Sequence, residues 1–151
     1  MAPLDTRTLM TARLVDGLYT EAMLLADEAR AYFDEAGRTE RERLSPLDRV
    51  AFSCESLKVT TRLMHVIAWL LTRKAVAAGE LREDPRNPGR RLGEAGDSDP
   101  RAVAALPEAA RALIRASTDL YERVAQIDRD MAAPPPGSPA LGLLRQIERA
   151  F

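Results

Sequence analysis

SPLDRVAFSCESLKVTTRLMHVIAWLLTRKAVAAG, residues 45–79, reads as one long helix with both ends marked. Ser45 is a suitable N-cap and Pro46 suits the first helical position. Asp48 sits in the first turn beside the positive end of the helix dipole. Between Pro46 and Ala78 nothing breaks the helix, and Gly79 is placed to stop it. Arg73 and Lys74 lie near the C-terminal end, where cations are favoured.

On a wheel of 100° per residue this helix has two apolar faces. One holds Val50, Cys54, Leu57, Thr61, Met64, Ala68, Leu71 and Ala75. The other, nearly opposite, holds Phe52, Val59, Leu63, Val66 and Leu70. The edge between them carries Lys58, Arg62, Trp69 and Arg73. A helix apolar on two sides needs two covers. The first face is assigned to the core. The second is then covered either because the helix is central in a lopsided bundle, or by a second copy in a twofold dimer. The dimer reading makes Phe52, Val59, Leu63, Val66 and Leu70 the interface and predicts that a charge at Leu63 or Val66 gives a monomer.

Working outward, a first helix is expected from about Leu9 to Ala36. Val15, Leu18, Ala22, Leu25, Ala26, Ala29, Tyr32, Phe33 and Ala36 fall on one face, and Gly37 is expected to end it with positive φ. Residues 38–44 read as a charged connector. A third helix is expected from about Pro107 to Met131, where Leu106, Ala110, Leu113, Ser117, Leu120, Val124, Ile127 and Met131 alternate steps of four and three, a bundle seam. Residues 80–101 are rich in Pro, Gly and charge and read as a solvated, flexible loop. Residues 132–151 read as a Pro-rich tail in which Leu141, Leu144, Ile147 and Phe151 could form one face of a short helix. The expected architecture is all-α: an antiparallel three-helix bundle over residues 1–131, followed by that tail.

Composition narrows the function. The chain of 151 residues has net charge −1, one Cys and one His, so neither a polyanion binder's basic excess nor a multi-Cys or multi-His metal site is available. The longest apolar run, Val66 to Leu71, is far too short to span a bilayer, and MAPLDTRTLM does not resemble a secretory signal. A soluble cytoplasmic protein with no metal and no cofactor is expected. Residues 1–44 carry six basic and nine acidic side chains, and residues 45–78 carry five and two. That contrast suits antiparallel neighbours, although exposed pairs contribute only about 0–1 kcal/mol each.

No catalytic constellation emerges. Cys54 has no histidine a turn away and reads as a small core hydrophobe. His65 has no carboxylate at helical spacing and reads as a boundary residue. Gly93-Glu94-Ala95-Gly96 follows no strand and is no phosphate cradle. Asp27-Glu28 and Asp34-Glu35 read as solvated pairs. A binding protein is therefore expected, with Lys58, Arg62, Trp69 and Arg73 as the partner surface, since Trp and Arg are the usual hot-spot types. The competing assignment ties Arg62 to Asp27 or Asp34 of the first helix and lays Trp69 over the core. Glu55, Ser56, Thr60 and Thr61, if buried, need partners across the bundle or in the preceding turn. Two other functions stay open: a DNA-associated regulator using the basic stripe of the middle helix, and a small-molecule pocket around Met64, His65 and Trp69.

Glu55–His65, ESLKVTTRLMH, continuing Val66–Leu71, VIAWLL, resembles the ESLRLTTRLM…ASWLL signature of the RcdA family, the bacterial regulators of CtrA degradation. Leu18–Leu25 with Ala31–Asp34, and Arg73–Glu80, are similar to the flanking family segments, so the resemblance covers about residues 14–82. Lys58, His65 and Lys74 depart from the pattern. The resemblance implies a dimeric three-helix bundle with a flexible loop and tail and no catalysis. It further implies an adaptor that helps deliver cell-cycle regulators to the ClpXP protease together with response-regulator-type adaptors; from the net charge and the short apolar run, no nucleic-acid or membrane partner is expected.

Overall fold

A computed structural model describes residues 6–82, 91–132 and 146–150. All the regular structure among them is helical: α1 (Thr6–Asp34), α2 (Ala36–Glu42), α3 (Pro46–Ala77), α4 (Pro100–Ala104) and α5 (Glu108–Ala132), with residues 146–150 also helical. Helix α3 starts and stops as its sequence predicts. Ser45 Oγ accepts a hydrogen bond from the Asp48 N–H at 3.3 Å. At the other end Gly79 takes φ +76°, with Glu80 N–H donating to the Ala75 carbonyl and Gly79 N–H to Val76. That pairing satisfies carbonyls the helix leaves open.

The first helix ends differently. Its break falls at Glu35, whose φ of −120° and ψ of −91° are not helical, and most of the expected connector forms α2. Gly37 lies inside α2 and is buried, without the positive φ expected of it. Its role is close approach: a Cβ there would meet the Tyr32 carbonyl oxygen at 2.7 Å and Phe52 at 3.3 Å. The elbow thus packs on an aromatic cluster in which Phe33 and Phe52 have ring centroids 5.5 Å apart.

The three long helices pack on one another, but not all antiparallel. Phe33 meets Phe52 at one end of the α1–α3 pair and Asp16 meets Lys74 at 3.3 Å at the other, so these two run oppositely. Likewise, Glu21 pairs with Arg123 while Tyr32 faces the Ala110 backbone, so α1 also opposes α5. Between α3 and α5, however, Arg62 reaches Ser117 and Trp69 reaches Asp128. Both numbers rise together, and α3 and α5 are parallel. The chain leaving α3 must therefore travel back the length of the bundle before α5 begins. The short α4, capped by Asp99, lies near the end of that return.

Burial reverses the two faces of α3. Phe52, Val59, Leu63, Val66 and Leu70 are 0–3% exposed within a single chain, with Leu120 and Val124 against them in one core. They form no surface for a second copy, so the expected dimer interface is corrected to intramolecular core. The face assigned to the core is outside: Val50 is 60%, Leu57 67% and Met64 63% exposed, and Cys54 is exposed as well. The physical reason is volume. The winning face has only large side chains, whereas the other alternates large residues with Cys54, Thr61, Ala68 and Ala75, and each fully buried large side chain contributes roughly 1.5–3 kcal/mol. The expected seam is buried from Leu106, just before α5, through Val124 within it, while Met131 at its end is exposed.

Candidate functional site

The residues nominated for partner contact line the groove between α3 and α5, and the returning chain fills it. Residues 91–98 run through this groove as an extended strap. Arg91 Nε pairs with Asp128 Oδ2 at 3.0 Å, and Leu92 N–H donates to the same oxygen at 3.2 Å. Further along, Tyr121 Oη donates to the Gly93 carbonyl at 2.7 Å. Arg62 Nη2 donates to the Gly96 carbonyl at 3.0 Å, and Lys58 Nζ to the Asp97 carbonyl at 2.7 Å. The strap descends along α3 as its own numbers rise. The part of the expected flexible loop that the structure describes here is held by side chains of both helices; residues 83–90 lie outside the described residues.

Arg62 sits at the centre of this groove. It is 3% exposed and also donates to Ser117 Oγ at 3.3 Å and to Ser98 Oγ at 2.7 Å. Ser98 in turn donates to Glu55 Oε2, and Glu55, equally buried, accepts from Lys58 at 3.2 Å. The hydroxyl of Ser98 thus bridges a buried guanidinium and a buried carboxylate. Burial pulls the Arg62 pKa down, and the negative charges of Glu55 and Asp97 oppose that pull. Burial also raises the Tyr121 phenol.

A second polar node lies two helical turns further on. Trp69 Nε1 donates to Asp128 Oδ1 at 3.1 Å, while Oδ2 of the same carboxylate takes Arg91 and Leu92. Arg73 stacks over the Trp69 ring, its guanidinium carbon 6.0 Å from the centroid. Between the nodes, Gly93 lies on His65: a Cβ there would fall 2.6 Å from His65 Nδ1. Only glycine lets the strap pass the imidazole at this distance.

Lys58, Arg62, Trp69 and Arg73 are therefore brought together, as expected, but they are engaged within the chain. Trp69 lies over the core, whereas Arg62 binds the strap and α5 rather than Asp27 or Asp34. The basic stripe proposed for DNA is corrected likewise, because Arg62 and Arg73 are buried and Lys58 is committed to Glu55 and Asp97. Among the described residues Met64, His65 and Trp69 do not face one common pocket. Met64 lines a separate cleft between α1 and α3, His65 lies under the strap, and Trp69 is buried. That cleft, about 350 Å³, is lined by Ala26, Phe33, Leu63, Met64 and Ile67, with Arg30 and Asp34 also contributing. The polar residues of α3 find the expected partners: Ser56, Thr60 and Thr61 donate to carbonyls of the preceding turn.

Asp128, Tyr121 and Ser98 were not nominated from sequence. Asp128 carried a signal, since it continues the Leu120–Val124 stripe by one further step of four and so puts a carboxylate on a buried face. Ser98 carried none, because nothing local ties a loop serine to a helix forty residues earlier. Among the described residues no group of three or more His, Cys, Asp or Glu is placed to hold a metal ion, and no helix is long and apolar enough to cross a membrane.

The outward face of α3 is the other candidate surface. Val50, Cys54, Leu57, Thr61, Met64, Ala68, Leu71 and Ala75 alternate steps of four and three along the helix. Val50, Leu57, Met64 and Leu71, seven residues apart, are 47–67% exposed. This is the spacing of a helix–helix seam, and the described residues leave those four largely exposed.

Residues 6–151 match a family described as a protein of unknown function, DUF1465. Among solved structures, the chain is similar to RcdA from Caulobacter crescentus CB15. Identity is 35%, the match covers 83% of this chain and 97% of that one, and the TM-score is 0.68. The search of curated proteins found no match. With nearly the whole sequence inside the family match and a solved relative at this identity, the chain belongs to the RcdA family, DUF1465.

Proposed function

We propose that this protein is a non-enzymatic adaptor that helps deliver cell-cycle regulatory proteins to an ATP-dependent protease of the ClpXP type. It works in the cytoplasm alongside response-regulator-type adaptors, as a homodimer, without a cofactor and without contacting nucleic acid or membrane. The observation that carries this reading is the similarity to RcdA, which extends over most of both chains. The antiparallel neighbours α1 and α3 supply the rigid platform an adaptor needs, since preorganised side chains bind without a large ordering cost. The dimer is assigned to the outward seam of α3, with a second copy as its occupant, because the four-three repeat is unbroken from Val50 to Ala75 and its large members are exposed.

The test is reconstitution. Purified chain is added to a ClpX-type unfoldase, its peptidase, a response-regulator-type adaptor and a CtrA-type substrate. Faster substrate loss, with the chain retained on immobilised unfoldase or adaptor, is the expected result. Neither retention nor acceleration would overturn the reading. Light scattering checks the dimer separately, and a particle of one 16.6 kDa chain at micromolar concentration removes it.

A further inference from the structure

We propose that the groove between α3 and α5 is a binding site for an extended segment of a partner protein, which residues 91–98 of this chain occupy as a displaceable resident. The groove recognises main chain. Tyr121, Arg62 and Lys58 bind the carbonyls of Gly93, Gly96 and Asp97, and Asp128 binds the Leu92 N–H. Side-chain hydrogen bonds to strap backbone groups accept many sequences, as in other sites that take up extended peptides. Two positions are read more closely. The imidazole of His65 admits only a glycine above it, and the Arg62–Glu55 pair takes a hydroxyl between them. The ligand class is thus a short extended segment with a glycine and, five residues later, a serine or threonine among acidic residues.

The binding groups belong to the helices and not to the strap. Glu55, Lys58, Arg62, Trp69, Tyr121 and Asp128 all project from α3 or α5, so they stay in place when the strap leaves. What holds the strap is almost entirely polar. Leu92 is its one large apolar side chain, and it is only half-buried. A segment offering the same carbonyls and hydroxyl, with an N–H and a cation for Asp128, replaces these contacts one for one. The resident's advantage is its tether, which gives it an effective concentration in the millimolar range. The groove is therefore closed to weak or accidental ligands and opens to a segment that binds better or arrives attached to a docked partner. This names a surface for the adaptor reading, but its test uses no protease, so either can fail alone.

The probe is a synthetic peptide, RLGEAGDSDP, the sequence of residues 91–100. It is titrated into the full-length chain and into a full-length variant whose residues 92–98 are replaced by Gly and Ser. Trp69, the single tryptophan, reports directly because its Nε1 shares Asp128 with the strap. Expected is a saturable change in Trp69 emission for the variant. Binding to the native chain should be roughly a hundredfold weaker, because the tethered strap competes. Adding Arg62→Gln to the variant should weaken binding at least tenfold. Should the replaced strap unfold the chain by circular dichroism, Ser98→Ala, which removes only the bridging hydroxyl, takes its place. No saturable binding to a folded variant, or binding indifferent to Arg62→Gln or shared by a scrambled peptide, overturns the proposal.

Discussion

Three glycines do three different things in this chain. Gly79 supplies a left-handed turn, Gly37 lets α2 approach the Tyr32 backbone, and Gly93 lets the strap cross His65. Gly37→Ala pushes a methyl against a backbone oxygen that cannot swing aside, so it should cost about 1–3 kcal/mol in denaturant unfolding. Arg62→Met should cost about 3 kcal/mol, because it leaves the Glu55 carboxylate buried with one cation fewer. Tyr32 governs a pH dependence. Burial, with the hydrogen bond to Glu40 and its charge, raises the phenol above its ordinary 10.0. The folded state therefore holds that proton more tightly than the unfolded one. The resulting stability is fully present below pH 10 and is lost as pH rises toward the folded value. Tyr32→Phe should flatten the decline in thermal midpoint between pH 10 and pH 12.

At the level of elements, α3 decides the molecule because it has two apolar faces. Leu57→Glu with Met64→Glu should give a monomer whose far-ultraviolet dichroism and melting are close to native, since both side chains are exposed. Leu63→Glu should instead unfold the chain, because it places an unpaired carboxylate in the core. Light scattering beside thermal melts separates the two. Helix class, the α3 caps and the α5 seam were legible from residues 45–79 and 106–124 alone, because capping and periodicity are local. The choice between the faces of α3 was not. A wheel counts apolar positions, and both faces score. What settled it was the larger volume on one side and the strap that satisfies Glu55 and Arg62 on its border. The same blindness placed Cys54 inside and gave Arg62 either to a partner or to the acids of the first helix.

For the whole molecule, the acidic α1 and basic α3 do lie antiparallel, as their opposite charge suggests, with Lys74 meeting Asp16 and covering Tyr19. The parallel course of α3 and α5 left no mark in the sequence. A loop rich in Pro, Gly and charge looks the same whether it makes a tight reversal or runs back along a groove. The hydrogen bonds that distinguish them go to backbone carbonyls, which any residue provides. Ser98→Ala should therefore leave the helices intact while increasing protease cleavage within residues 91–99, measured by limited proteolysis and mass spectrometry.

Parallel helices also impose an order of assembly. The α1–α3 pair closes across a connection of a few residues and α2, so it can form early from near neighbours. Helix α5 joins only after some thirty residues of crossover have been drawn back along the bundle, a closure whose entropy is lost before any contact with α3 compensates for it. The fold should come apart in the reverse sequence. Under native conditions, amide protons of α5 should exchange through a partial opening of lower free energy than those in the middle of α3. An α1–α3 hairpin should persist briefly after α5 has left.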